Sequence, residues 1–117
     1  MSTPANVKAD TRRWLIQRAS AMVLTVAVIV HLGVIIMATQ NGLSASEIVG
    51  RIQGNVGWMV FYIIFVVAAA LHAPIGLRTV FREATDLQGR LPGFISGCVG
   101  VILLIMGLQA ILRLYGV

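Results

Sequence analysis

The chain has 117 residues, of which 58% are hydrophobic and 11% charged, and a formal net charge of +5; its mean hydropathy is +0.91. Soluble domains carry roughly 25% charged residues, so an ordinary soluble domain is excluded. A nucleic-acid partner is not needed to explain the positive charge, and the basic–aromatic interleaving that single-stranded nucleic acid requires is missing.

Residues 1–13 form a polar tail containing Pro4, expected to stay loosely ordered until it meets a partner. Trp14 stands as an interfacial anchor. Ala19 to Asn41, Ile52 to Leu77 and Leu91 to Leu112 contain no charged residue. Each run exceeds the roughly 20 residues a helix needs to cross about 30 Å of hydrocarbon. The reading is an all-α integral membrane fold. It has one domain over residues 1–117, with three transmembrane helices bundled over about 15–38, 56–80 and 92–114. The first apolar run is far longer than the core of a cleavable signal peptide, so it reads as an uncleaved anchor. Between the first two spans, Ser44 and Glu47 have the spacing of a capping box and predict a short interfacial helix from about Ala45.

Lys8, Arg12, Arg13 and Arg18 precede the first span, and Arg78, Arg82 and Arg90 lie between the second and third. Only Arg51 and Arg113 fall on the other side. This bias places the N-terminus and the second loop, about 82–91, in the cytoplasm, and some of these cations can meet anionic lipid. In the third span, Gly93, Gly97, Gly100 and Gly107 share one face and read as a helix-packing stripe, with Gly93 and Gly97 forming a G-x-x-x-G pair. Cys98 reads as a small buried residue. As the only cysteine it allows no internal disulfide, and the missing C-x-x-C-H motif excludes a standard covalent c-type haem.

The candidate site residues are polar side chains in or beside the spans. His72 has Ala68, Ala69 and Gly76 at helical spacing. That is the surface a flat macrocycle needs beside a ligating imidazole; the alternative is an interhelical hydrogen bond. Pro74 should bend the second span and free the Ala70 carbonyl. Arg18 and Arg78 end their spans on the cytoplasmic side, where they can hold haem propionates, polarise a quinone carbonyl, or serve topology and lipid contacts. His31 shares a polar and small face with Gln17, Ser20, Leu24 and Ala27. Counted along the helices it lies about 18 Å from the cytoplasmic edge and His72 about 8–9 Å, so the two do not suit one iron. His31 therefore makes a structural hydrogen bond or ligates a second, deeper cofactor. If His72 binds iron, the other axial ligand comes from another chain.

The segments "LIQRASAMVLT" and "LHAPIGLRTVFREA" resemble helices one and two of the D-type, three-helix cytochrome b membrane-anchor subunits of succinate dehydrogenase (complex II) and the related fumarate reductases. The resemblance covers nearly the whole chain in length, helix count and placement of polar residues. It implies a subunit of an oxidoreductase in electron transport and the tricarboxylic acid cycle, with no catalysis of its own. His72 would be one axial ligand of a b-type haem shared with a second cytochrome b anchor subunit, and Arg18 would lie near the propionates, with Ser20 beside it. Flavoprotein and iron–sulfur subunits would dock on the cytoplasmic face and pass electrons to ubiquinone or menaquinone. Glu83 stands where the family has an aspartate and would edge the quinone site; Ala84 stands where the family has a quinone-bonding tyrosine. The C-type partner is a competing assignment, since "HAPIGLR" and "QRASA" also fit its spacing. There Arg18 would touch quinone, although Trp14 replaces the C-type's quinone-bonding serine. The short tail points to a bacterial inner membrane. From a different class, a non-redox structural or transporter subunit would use both histidines only for packing.

Overall fold

The computed structural model describes residues 3–84 and 89–115. It contains four helices: α1 (Pro4–Gln40), α2 (Ala45–Ile52), α3 (Val56–Ala84) and α4 (Leu91–Leu114). Among the described residues, α1, α3 and α4 are long and apolar enough to cross a membrane. The assembly is an elongated bundle, 57 × 25 × 22 Å. Its length is set by α1, whose 37 residues rise about 55 Å.

The helix α1 begins eleven residues earlier than the apolar run suggests, so the tail described here is helical rather than loose. Local chemistry accounts for this. The Thr3 hydroxyl accepts from Asn6 N at 3.2 Å, Pro4 occupies the first turn, where its missing N–H costs nothing, and the residues that follow include good helix formers. Asp10 and Arg13, one turn apart, pair at 3.7 Å. The other end of α1 closes in a Schellman motif: Gly42 takes φ +62°, Leu43 N donates to Ala38 O and Gly42 N to Thr39 O, satisfying carbonyls the helix leaves open.

The short α2 starts where the Ser44–Glu47 spacing places it. Ser44 Oγ accepts from Glu47 N at 3.3 Å, and Ile52 is buried beneath it. Substituting Ser44 by alanine should cost about 1 kcal/mol of local helix stability. The expected outcome is a roughly fivefold rise in tryptic cleavage at Arg51 in the intact complex, since cleavage follows the population of the opened form.

The central helix is α3, which packs against both α1 and α4, while any direct α1–α4 contact is marginal. The face of α1 turned to α3 carries the buried residues Ser20, Ala27 and Ala38, with Gln17, Leu24 and His31 half-buried between them. The α3–α4 seam is closer. A Cβ on Gly100 would lie 2.5 Å from Pro74 Cγ and 3.2 Å from Ala70 O, and one on Gly107 would lie 2.5 Å from Val66 Cγ1. The glycine stripe is thus divided. Gly100 and Gly107, seven residues apart, make the contact, whereas Gly97 faces open space, so the Gly93–Gly97 pair is not the packing motif. Cys98 is exposed on the outer face of α4 rather than buried, because among the described residues α4 packs chiefly against α3.

Candidate functional site

His72 projects from α3 towards α1. Its Nδ1 lies 3.2 Å from Ser20 Oγ, and the same hydroxyl donates to Gln17 O at 3.1 Å. A serine hydroxyl has one proton to give. When that proton goes to Gln17 O, Ser20 accepts from the Nδ1–H tautomer of His72, which leaves the lone pair of the imidazole on Nε2. A hydrogen bond that fixes one ring nitrogen as donor and leaves the other as ligand is the usual setting of a metal-bound histidine.

The small neighbours of His72 are filled by protein. Ala68 is buried, and the position a Gly76 Cβ would take lies 3.3 Å from Gln17 Nε2. The Ala68–Gly76 face is therefore the seat of α1, and it lets Ser20 come within reach of the imidazole. His31 sits apart. Its ring meets Tyr62 and Phe65 edge-on, at centroid distances of 6.0 and 5.6 Å. Along α1 it is eleven residues, about 16 Å of rise, from the serine that holds His72.

Arg18 and Arg78 do not share one cleft. The Arg18 guanidinium stacks over Trp14, 5.5 Å from the ring centroid, whereas Arg78 lines a cavity of about 490 Å³ between α1, α3 and α4. Six residues at 100° each place Arg78 about a third of a turn from the His72 face. Arg13 and Arg82 join Arg78 in that cavity, with Asp10, Trp14 and Gln17. In the sequence Arg13 and Arg82 stand only as topology signals, although Arg82 is one turn beyond Arg78 and Arg13 one turn before Gln17. Glu83 is exposed at the end of α3; residues 85–88, in the loop after it, lie outside the described residues.

A family model for the succinate dehydrogenase/fumarate reductase transmembrane subunit matches residues 2–107. The chain belongs to that family. No curated protein and no solved structure matches the chain. As a succinate dehydrogenase/fumarate reductase transmembrane subunit it is a multi-pass membrane protein, and the family implies association with the other subunits of such a complex.

This family is associated in general with haem and quinone. Among the described residues no three His, Cys, Asp or Glu side chains converge into a metal cage. A haem brings its own equatorial nitrogens and asks the protein only for axial ligands. One imidazole with Nδ1 held by a serine and Nε2 free fits that requirement.

Proposed function

We propose that this chain is a D-type membrane anchor of a bacterial succinate:quinone oxidoreductase. In this reading its N-terminus is cytoplasmic and it lies in the inner membrane, as the distribution of Lys and Arg supports. The observation that carries the proposal is the Ser20–His72 hydrogen bond, which prepares Nε2 as an axial nitrogen. The haem, when bound, supplies one-electron storage close to the quinone. Ser20 would fix the tautomer and rotation of the ring, and a second anchor subunit would supply the iron's other protein ligand. Arg18, two residues before Ser20 and free of any carboxylate partner among the described residues, is the cation for the propionates. Arg78, about a third of a turn round α3 from His72, is not assigned to the propionates in this reading. Glu83, exposed where α3 ends, edges the quinone site and can relay one of the protons that quinone reduction consumes.

The basic end of the bundle, where α1 begins and α3 ends, is the docking face for the iron–sulfur and flavoprotein subunits. The test is isolation of the intact complex through a tag on this chain. Flavin, iron–sulfur clusters and a b-type spectrum after dithionite reduction are expected together. A colourless complex that assembles normally would return the chain to a non-redox tether.

A further inference from the structure

The cavity at the basic end of the bundle is not needed for the haem reading, and its chemistry differs from that of a quinone pocket. Its walls carry Arg13, Arg78 and Arg82 against a single carboxylate, Asp10, among the described residues. Asp10 pairs with Arg13 at 3.7 Å and also attracts Arg78, so among the described residues one acid is shared by three guanidiniums and the walls keep an excess of positive charge. Two buried polar atoms in the walls have no hydrogen-bond partner among the described residues: Arg78 Nε, a donor, and Gln17 Oε1, an acceptor. A quinone can accept from Arg78 Nε, but it is neutral and offers only acceptors, so it neither balances the excess positive charge nor satisfies the free Gln17 oxygen.

The cavity does not end at its polar mouth. Through Pro74 and Gly97 it continues into an apolar groove of about 380 Å³ along the α3–α4 seam, walled by Val67, Leu71, Val101 and Leu104. From Gly93 to Leu104 the helix rises about 16 Å, about half the 30 Å thickness of the hydrocarbon core. A head-group site that narrows into a track reaching the midplane has the dimensions of one leaflet's lipid.

We propose that this cavity and groove bind an anionic phospholipid whose head group carries hydroxyls, as phosphatidylglycerol does. The phosphodiester sits against Arg78 and Arg82, a head-group hydroxyl donates to Gln17 Oε1, and one acyl chain lies along Gly97 and Val101. Basic recesses between transmembrane helices are general sites for such head groups. The site does not depend on the haem assignment.

The experiment uses the intact complex, delipidated in detergent and then offered dioleoylphosphatidylglycerol or dioleoylphosphatidylcholine. Lipid retention is read by mass spectrometry and thermal stability alongside it. Phosphatidylglycerol alone should be retained and raise the melting temperature. The double substitution Arg78→Gln with Arg82→Gln should weaken retention roughly 30-fold with the b-type absorbance unchanged. Gly97→Leu keeps both arginines, and its Cβ meets nothing within 4 Å; it should assemble with normal haem absorbance, block the acyl track and lose retention as well. Equal retention of phosphatidylcholine, or undiminished retention in both variants, overturns the proposal. Loss of haem absorbance in the arginine variant would reassign the cavity to the propionates. Displacement of the lipid by a short-chain quinone would reassign it to the quinone.

Discussion

His72→Ala is expected to abolish the b-type absorbance of the reduced complex while the four helices still assemble. The two halves of this result rest on different energies. An iron–imidazole bond has no substitute once Nε2 is gone, because the nearby polar groups on α1 are a serine and a glutamine, neither a usual haem ligand. The structural loss is small by comparison. Ser20 keeps its hydrogen bond to Gln17 O, so no buried hydroxyl is stranded, and an interhelical hydrogen bond in a membrane is worth about 0.6 kcal/mol on average. Ser20→Ala separates the roles further. The ligand stays, but the ring loses the acceptor that orients it and fixes its tautomer. Loss of such a partner typically costs about 10–100-fold in metal affinity, so haem occupancy should fall and the midpoint potential should move, with Ser20→Thr restoring both. A purely structural histidine would leave the spectrum of both alanine variants intact. Full haem in His72→Ala would show that the iron is held by other residues.

The spans were legible because hydrophobic thickness is a one-dimensional constraint. A charge-free run either reaches about 20 residues or does not, and each of the three long helices covers nearly all of one run that does. Charge misleads at the N-terminus, where Lys8, Asp10, Arg12 and Arg13 mark the tail as polar without making it irregular. The Thr3–Pro4 start signal was present in the sequence, and it governs the conformation, because backbone hydrogen bonding rather than hydropathy decides whether a solvated segment is helical.

The candidate site was legible only in part. His72 stands out from sequence as an imidazole without water. Its pairing with Ser20 across 52 residues depends on the rotation and depth of α1 against α3, which no local pattern encodes. The small residues around His72 show the same limit: Ala68 and Gly76 suit the approach of a macrocycle or of a helix, and the fold uses them for α1. Arg18 and Arg78 flank the ends of the first two charge-free runs, yet azimuth separates them. Depth can be counted along a sequence, whereas the azimuth that counts is set by the neighbouring helix.

Gly100→Leu should disrupt the bundle far more than Gly97→Leu, although the two glycines lie on the same helix, one turn apart. At Gly100 the first atom of any side chain would already sit 2.5 Å from Pro74 Cγ and 3.2 Å from Ala70 O. Neither neighbour can move aside. The pyrrolidine ring is locked to the backbone, and the Ala70 carbonyl is the group that Pro74 deprives of its helical donor. The helices must separate, and with them goes the dispersion attraction that replaces the hydrophobic effect between helices in lipid. Even Gly100→Ala should cost about 1–3 kcal/mol as an overpacked contact, a roughly 5- to 150-fold shift towards the dissociated subunit. Gly107→Ala should behave similarly, because the Val66 it meets is β-branched and held to one rotamer in a helix. Gly97→Ala, with nothing within 4 Å of its new Cβ, should change stability by less than about 0.5 kcal/mol. Thermal unfolding of the detergent-solubilised complex, read by loss of the co-purifying subunits, ranks the five variants. If Gly97→Ala and Gly100→Ala melt together, then α3 and α4 do not meet through the seven-residue glycine pair, and the groove that opens at Gly97 closes with that seam.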